Sequence, residues 1–363
     1  MIFDISDQNF KKLFKNNQLY LPIRWDGYNF VSTLEQLYHL YQICIYEVIQ
    51  KDSVNIDIER IKSCCSLIIK SVKYYLNGFP SRAYNQFEGL MRLLMRKPLK
   101  LYRKSVSEVL GHSGYHDRLN LYRVVGVSDN YPYDRKRVFH TPYNLRSKVS
   151  TSRYSIAGYP SLYLGTSIEL CQEEVRLNPY DKFSIVSLFK IERNLEFCDT
   201  EVNVIELGLK PQDFTEEANM EMSRRHFSRD LLNDPETKKA YLMWYPLIAA
   251  CSYIRVNKFD PFAAEYVIPQ LMMQWVRSEL EEKSGSFDKL IGIRYFSCAS
   301  IRASELGFNY VFPTSGKQEG SLPFCSVLTK AFKLTNPVYI HEYNSVLDCE
   351  RYLNRQAVDN VKY

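Results

Sequence analysis

The sequence predicts an α+β protein in which a small helical module precedes a mixed β core. In the first hundred of the 363 residues, apolar side chains recur at helical intervals. From about residue 120 the chain changes to short β-rich runs separated by Gly, Pro and Asn. Because strands and helices do not alternate regularly, the pattern does not require a doubly wound parallel sheet. We therefore expect a helical module over residues 1–105 and a second domain over residues 106–363.

The N-terminal module is expected to contain three helices. Ser32 and Glu35 have the spacing of a capping box, and the apolar residues that follow them recur at helical intervals. The pair Asn77-Gly78 favours a left-handed stop at the end of the second helix. The predicted helices lie at about residues 32–48, 61–76 and 81–97.

The β core is expected to contain five strands, each a short run rich in β-branched and aromatic residues. They lie at residues 121–127, 161–165, 183–189, 290–296 and 308–312. Helices are predicted after Gly165, near residues 236–255 and around residues 269–280, where Pro269 suits a first helical turn.

The composition is that of a water-soluble globular protein, with 45% hydrophobic and 24% charged residues. The net charge of +6 favours anionic partners such as nucleotides, but it falls short of the dense basic stripe of a dedicated nucleic-acid binder. A basic cluster at residues 135–137 is typical of a solvated face. The 28 Tyr residues suit clefts that stack flat ligands, although Tyr is also common on half-buried surfaces.

The N-terminus, the length of the apolar runs and the cysteine pattern indicate a cytoplasmic protein that does not enter a membrane. The N-terminus lacks the basic-then-apolar layout of a signal peptide, and the apolar run at residues 242–254 is too short to span a bilayer. The nine cysteines include no Cys-x-x-Cys pair, which favours reduced, packed thiols and no metal site. His112 and His116 are four residues apart, but the intervening Ser-Gly-Tyr does not favour a zinc-binding helix.

Several common chemistries have no motif in this chain. The sequence contains neither a Gly-Lys-Ser/Thr phosphate loop nor a G-x-G-x-x-G fingerprint after a strand. Gly-x-Ser-x-Gly and His-Glu-x-x-His are missing too, which argues against a serine hydrolase of that type and a zinc protease. The remaining candidates for a site are Arg, Tyr, Glu and Ser side chains.

Glu174 is the first such candidate. Thr166 and Glu169 have capping-box spacing, so a helix is expected to begin at about Ser167. On that helix Glu174 aligns with Leu170 and Leu177, whereas Glu173 aligns with Glu169. A carboxylate on the packed side is costly unless it is paired or lines a cleft. Glu174 is therefore the better functional candidate, and a salt-bridged helix residue is the alternative.

Two arginines and a tyrosine complete the set found from the residues. Arg123 and Arg153 each open a structured run, and such guanidinium groups commonly hold a carboxylate or phosphate. An ion pair between Arg123 and Glu174 would need no ligand at all. Tyr163 lies between two leucines in its strand, so alternation sends it to the opposite face, where it either lines a cleft or packs under a helix.

These residues resemble the RES-domain family, named for an arginine, a glutamate and a serine. The resemblance covers over half of the chain, from LYRVVG at 121 through RYSIAGYPSLYLGTSIELCQEEV at 153–175 to GIRYFSCAS and FNYVFP near 312. The residues that match the family's functional positions are Arg123, Arg153, Tyr163, Glu174, Ser297 and Asn309, with Tyr154 added as a neighbouring substrate-binding residue. Ser300 and Ser304 are alternatives for the serine.

The resemblance implies a fold similar to ADP-ribosyltransferase toxins and an enzyme that degrades NAD. Such enzymes cleave the bond between nicotinamide and ribose with phosphate or water as acceptor, so NAD is a substrate and phosphate a co-substrate rather than a cofactor. In this reading Glu174, Arg123 and Ser297 are catalytic, and the other matched residues bind substrate. The resemblance also implies a toxin or defence effector that is inhibited by an antitoxin or another regulatory protein. Whether the chain forms a homo-oligomer stays open.

This chain departs from compact family members in its N-terminal module and in an insertion at about residues 199–265. Two other functions stay open. The first is an ADP-ribosyltransferase that modifies a macromolecule through the same pocket. The second is a non-catalytic protein that binds a nucleotide or RNA.

Overall fold

The computed structural model describes residues 3–4, 6–52, 55–96, 102–103, 120–175, 182–191, 201–215, 234–257, 260–282, 289–314 and 322–361. Within these ranges the chain forms a mixed β-sheet with helices around it, preceded by a helical N-terminal module, which confirms the predicted α+β class. His112 and His116, like Leu177, lie outside the described residues.

The helices of the described residues are labelled in chain order. They are α1 (Asp7–Leu13), α2 (Phe30–Asp52), α3 (Ile58–Leu76), α4 (Pro80–Leu94), α5 (Arg135–Val138), α6 (Ile168–Glu174), α7 (Pro211–Thr215), α8 (Pro235–Ala250), α9 (Val267–Glu282), α10 (Ser326–Ala331) and α11 (Val346–Arg355). The three predicted N-terminal helices correspond to α2, α3 and α4, and Gly78 has the predicted left-handed conformation with φ of 82°.

The strands are labelled in the same way. They are β1 (Phe3–Asp4), β2 (Asn55–Ile56), β3 (Tyr102–Arg103), β4 (Leu121–Val127), β5 (Ser161–Gly165), β6 (Phe183–Ile191), β7 (Glu201–Leu207), β8 (Lys289–Tyr295), β9 (Asn309–Pro313), β10 (Phe332–Leu334) and β11 (Val338–Tyr339). All five predicted strands are confirmed, two of them with the predicted bounds. β1 and β2 pair separately from the main sheet.

The main sheet runs in the order β10-β6-β4-β5-β9-β8-β7-β3, and β11 also pairs with β6. All neighbours in this sheet are antiparallel except β7 and β8. A parallel pair needs a long crossover connection, which here includes α7, α8 and α9. The segment predicted as an insertion, residues 199–265, thus supplies strand β7 and the crossover helix α8.

Helix α8 is buried on all sides, which explains the apolar run at residues 242–254. Every residue from Ala240 to Ala250 is buried, and a helix that is apolar all round is typical of a protein interior. The N-terminal helices cover part of this surface, because the aromatic rings of Phe14 and Tyr41 lie 5.2 and 4.4 Å from that of Tyr245.

Pro246 interrupts the backbone hydrogen bonding of α8, and helix α2 compensates for it. Proline has no N–H, so the carbonyl oxygen of Leu242 loses its usual donor four residues later. The Tyr41 hydroxyl donates to this oxygen at 2.9 Å, and the Tyr38 hydroxyl donates to the carbonyl oxygen of Pro246 at 2.8 Å. Two tyrosines of the N-terminal module therefore bind the backbone of α8 around its proline.

Both predicted capping boxes are wrong in their capping residue. Helix α2 begins at Phe30, and the Asn29 side chain accepts from Ser32 N at 3.1 Å, so Asn29 occupies the capping position. In α6 the Ser167 hydroxyl accepts from Leu170 N at 3.2 Å. Thr166, the predicted cap, instead accepts from Phe308 N at 2.9 Å, a contact between distant parts of the chain.

Candidate active site

The candidate site lies at one edge of the sheet, where four strands of the centre begin or end. Gly165 at the end of β5 pairs with Asn309 at the start of β9. Asn309 also pairs with Tyr295 at the end of β8, and Tyr122 of β4 pairs with Gly165 on the other side. Residues that follow β5 are therefore brought next to residues that follow β8 or open β9, although more than a hundred positions separate β5 from both.

Glu174 reaches this edge from the last position of α6. Its carboxylate Oε1 accepts a hydrogen bond from Asn309 Nδ2 at 2.7 Å. The side chain of Glu174 is exposed, so the expectation of a packed carboxylate is wrong, whereas Asn309 is 5% exposed. Because Glu174 ends the helix, its carboxylate can reach a buried amide on the sheet and still face solvent.

Helix α6 is held close to the strands that carry the site. Ile168 and Cys171 pack in a small apolar cluster with Tyr122 of β4 and with Cys349 of α11. A Cβ atom on Gly165 would lie 2.7 Å from the Cys171 sulfur, so only glycine allows this approach of helix to strand. The position of Glu174 is thus set by close packing at the start of its helix.

Arg123 is a half-buried guanidinium on β4 that faces no carboxylate among the described residues. Its Nη1 donates to the carbonyl oxygen of Tyr163 at 3.4 Å. Burial lowers the pKa of Arg123 to about 10, so the group is still protonated at neutral pH. The alternative of an ion pair with Glu174 finds no support in these contacts. A cation in this setting has capacity to bind an anion.

Arg153 is buried, and its donors are engaged by the backbone. Nη1 donates to the carbonyl oxygen of Cys251 at 3.0 Å and Nη2 to that of Tyr253 at 2.8 Å. The guanidinium lies 4.9 Å from the ring centre of Tyr266. Burial opposes the charge, but nearby thiol and phenol groups and Glu174 raise the pKa of Arg153 above its ordinary value. The contacts show a cation next to the site that holds the chain just beyond α8.

Tyr163 is fixed by hydrogen bonds to the loop that contains Arg153. Its hydroxyl donates to the carbonyl oxygen of Tyr154 and lies 2.6 Å from Ser152 Oγ. Burial raises the pKa of Tyr163, so the phenol is neutral. Tyr154 is itself buried, with its ring 4.6 Å from that of Tyr295. The proton of the Tyr163 hydroxyl is therefore engaged, and the face of its ring is the part suited to contact with a flat ligand.

Ser297 follows β8 and is fully buried. Its Oγ accepts from Ala299 N at 3.1 Å, which is a local turn contact. The two alternative serines also make turn contacts, since Ser300 Oγ accepts from Ala303 N at 2.9 Å and Ser304 Oγ donates to Ile301 O at 2.7 Å. Ser297 lies beside Cys298, whose buried thiol is within electrostatic range of both Arg153 and Glu174.

Several of these groups lie within electrostatic range of one carboxylate, that of Glu174. Burial is the first cause of the raised pKa of Cys298, to about 11, and of Cys171, to about 12, and Glu174 raises both further. The same carboxylate acts on the phenols of Tyr163 and Tyr295 in the same direction. Glu174 is therefore a charge that acts on both thiols and both phenols, whereas it does not act measurably on Arg123.

Sequence reasoning missed two residues of this arrangement. The Ser152 hydroxyl is hydrogen-bonded to the Tyr163 hydroxyl, and the ring of Tyr295 packs against that of Tyr154. Tyr295 lies within the run GIRYFSCAS at residues 292–300, two positions before Ser297, so its place in the sequence could have suggested it as a site residue. Ser152 had none, because its role depends on the fold of the loop.

In the described part of the chain, no group of three or more His, Cys, Asp or Glu side chains is placed to hold a metal ion. No described helix combines the length and apolar character needed to cross a bilayer.

Comparison with known proteins finds similarity to a Bacillus subtilis (strain 168) protein that bears the name "Putative toxin YopC". The two are 26% identical over 337 residues, which cover 90% of this chain and 70% of the relative. No protein-family model matches the chain. No solved structure matches it significantly. The RES-domain resemblance and the likeness to ADP-ribosyltransferases therefore stay predictions.

Proposed function

We propose that this protein is a toxin that degrades NAD by cleaving the bond between nicotinamide and ribose. The similarity to a protein named as a toxin supports the general role. The observation that carries the chemistry is the exposed carboxylate of Glu174, which a buried amide orients and which lies within electrostatic range of the buried cation Arg153. Arg123 supplies a second cation, with no carboxylate partner among the described residues.

In this proposal Glu174 stabilises the positive charge that develops on the ribose. Cleavage breaks the bond between C1′ of the ribose and N1 of the nicotinamide ring, and both electrons leave with nicotinamide, which becomes neutral. The ribose then carries oxocarbenium-like charge that a nearby carboxylate stabilises. The Asn309 amide binds Oε1, which leaves Oε2 for the ribose hydroxyls.

The acceptor completes the reaction on the same carbon. An oxygen of phosphate bonds to the ribose carbon that lost nicotinamide, which gives ADP-ribose 1″-phosphate. If water bonds there instead, the products are ADP-ribose and a proton. Arg123 is the proposed phosphate ligand, because its charge is retained and not neutralised by a described carboxylate. Ser297 would donate a hydrogen bond after it turns from its local contact.

Tyr163 and Tyr154 are proposed as walls of the pocket rather than as acids or bases. Their phenols are neutral and buried, and the Tyr163 hydroxyl is engaged with the Tyr154 carbonyl. A flat aromatic face suits the nicotinamide or ribose ring. An antitoxin or other regulatory protein is the proposed partner, in line with the toxin role.

Product identification tests the proposal. The purified chain is incubated with NAD labelled in its ADP-ribose part, with and without phosphate, and the products are identified by mass spectrometry. We expect free nicotinamide, with the label on ADP-ribose 1″-phosphate when phosphate is present. Label on a macromolecule would instead indicate an ADP-ribosyltransferase. Unchanged NAD at high protein concentration, with any partner removed, would contradict the proposal.

A further inference from the structure

A short extended segment after helix α8 is bound on both sides, by the N-terminal module and by Arg153. On one side Ile23 N donates to Ser252 O at 3.0 Å, and Ile254 N donates to Ile23 O at 2.8 Å. These two bonds form a parallel bridge between Ile23 and Tyr253. On the other side Arg153 binds the carbonyl oxygens of Cys251 and Tyr253.

The geometry of an extended chain explains this two-sided arrangement. Successive residues of an extended chain point their carbonyl groups to alternate sides, so the oxygens of residues 251 and 253 face one way and that of residue 252 the other. The planar fork of an arginine can reach two such oxygens at once, which the single ammonium of a lysine cannot do in the same way. Arg153 thus takes the place of a neighbouring strand.

The N-terminal segment that forms the bridge is itself fixed. The side chain of Gln212, on α7, accepts from Leu21 N at 3.2 Å and donates to Leu21 O at 2.6 Å. Its partner segment follows α8, which the tyrosines of α2 bind around Pro246. The carbonyl oxygens that hold Arg153 are therefore located by contacts from the N-terminal module.

Arg153 passes this restraint on to the candidate site. The residues on either side of it hold the Tyr163 hydroxyl, through Ser152 Oγ and the Tyr154 carbonyl oxygen. The backbone of Tyr163 in turn binds Arg123. Hydrogen bonds joined by short covalent stretches of the chain thus connect Ile23 to the cation proposed to bind phosphate.

We propose that the N-terminal segment at Ile23 is a positioning element of the site, which acts through residues 251–254 and Arg153. Arg153 is accordingly a positioning residue, and the N-terminal module is part of the frame of the site. A protein that displaced this segment would disturb the site without entering it. The catalytic consequence rests on the proposed function, whereas the structural coupling does not.

The test replaces the N–H of Ile23 by the variant Ile23→Pro in the full chain. The matched control is Arg24→Pro, because the N–H of residue 24 points away from residues 252–254 and proline favours an extended residue before it. Amide hydrogen exchange reports the coupling without any need for activity. We expect exchange at residues 150–157 to be faster by about tenfold in Ile23→Pro and unchanged in Arg24→Pro.

Kinetics of nicotinamide release supply the second measurement. We expect kcat to fall by about ten- to a hundredfold in Ile23→Pro and in Arg153→Lys, with KM changed less than about twofold. The double variant should lose no more than Arg153→Lys alone, since both act on one set of contacts. A large rise in KM for Arg153→Lys would show that Arg153 binds substrate directly and would overturn its positioning role.

Exchange also separates this proposal from the proposed function. If the wild-type chain releases no nicotinamide, the function fails, while faster exchange at residues 150–157 still supports the coupling. If Ile23→Pro accelerates exchange only around residues 18–26 and 250–256, the coupling is wrong whatever the activity. Should Ile23→Pro fail to fold, the same exchange measurement on Arg153→Lys decides: unchanged exchange at 150–157 and 250–256 would overturn the proposal.

Discussion

At the scale of single residues, the orientation of Glu174 depends on the Asn309 amide. The exposed carboxylate would otherwise sample several rotamers, and the hydrogen bond at 2.7 Å selects one that faces the sheet edge. The NH2 group of Asn309 donates to Oε1 of Glu174 and so holds the side chain in that position.

Asn309→Ala should therefore lower kcat for nicotinamide release. A hydrogen bond to a charged group contributes about 1.5–3 kcal/mol, which corresponds to a loss of roughly ten- to a hundredfold in kcat. Ser161→Ala, at the opposite end of the same β5–β9 pair, is the control and should leave kcat unchanged. Equal activity of Asn309→Ala and the wild type would show that Glu174 needs no such orientation.

A second residue-scale feature is His140, which is buried and neutral. Its Nε2 accepts from Cys325 N at 2.9 Å, so the proton is on Nδ1, which lies 2.9 Å from the carbonyl oxygen of Thr141. Burial lowers the pKa of His140 to about 4, against about 6.5 in an unfolded chain. The unfolded state therefore takes up the proton first as the pH falls.

The free energy of unfolding should fall between about pH 6.5 and pH 4 for this reason. The loss attributable to His140 is up to about 3 kcal/mol at the lower end, and it is absent above pH 6.5. Urea midpoints at several pH values measure it, with His140→Gln expected to flatten the dependence and exposed His39→Gln to leave it unchanged. A dependence equally steep in His140→Gln would assign the acid sensitivity to other groups.

At the scale of elements, helix α8 tolerates an internal proline because α2 supplies the missing donor. Tyr41→Phe should lower the free energy of unfolding by about 1–3 kcal/mol, since it leaves the buried carbonyl of Leu242 unpaired. Pro246→Ala restores the N–H at position 246, so the cost of Tyr41→Phe should shrink in that background.

The double-mutant cycle measured by urea unfolding checks this coupling. Tyr46→Phe on the same helix is the control, because Tyr46 is 39% exposed and should have little effect on stability. If Tyr41→Phe costs the same with and without Pro246, the hydroxyl does not replace the proline's missing donor.

The same elements show what a single sequence can and cannot predict. β4 and β5 were predicted to the residue because each is a compact β-rich run bounded by turn residues. The capping residue of α6 was wrong because two candidates are adjacent, and Phe308 N selects Thr166 for a different bond. Local patterns thus located the elements, while distant contacts decided their ends.

Strand β7 was missed for a related reason. Its sequence includes Glu206, whose buried carboxylate suits a strand interior only because Arg294 lies beside it on β8. The two groups are 2.5 Å apart and fully buried, but 88 positions separate them in the chain. In the site, by contrast, Glu174 and Arg123 could be selected from the sequence because the pattern places each charge among apolar residues. Ser152 carries no such pattern and could not be predicted.

At the scale of the whole molecule, the N-terminal helices and the sheet share one apolar core across the described residues. The buried cluster includes Phe10 and Tyr41 of the N-terminal module, Trp244 of α8 and Phe312 of β9. The predicted division at residue 105 stays a prediction, but the contacts of α8 argue against independent folding of the two parts.

A fragment of residues 106–363 should therefore lack a cooperative unfolding transition and aggregate, because it would expose the aromatic face of α8. The full chain should show one transition by both circular dichroism and tryptophan fluorescence. A soluble fragment that unfolds cooperatively at a similar urea concentration would establish two independent domains.

In the proposed function, one carboxylate at the sheet edge carries the reaction. Glu173 and Glu174 are adjacent and both exposed, but only Glu174 binds Asn309. The decisive measurement is nicotinamide release from NAD by Glu174→Gln and Glu173→Gln, each confirmed to be folded. We predict that Glu174→Gln loses at least about a thousandfold in kcat and that Glu173→Gln retains wild-type activity. Equal activity of the two variants would contradict the proposed site.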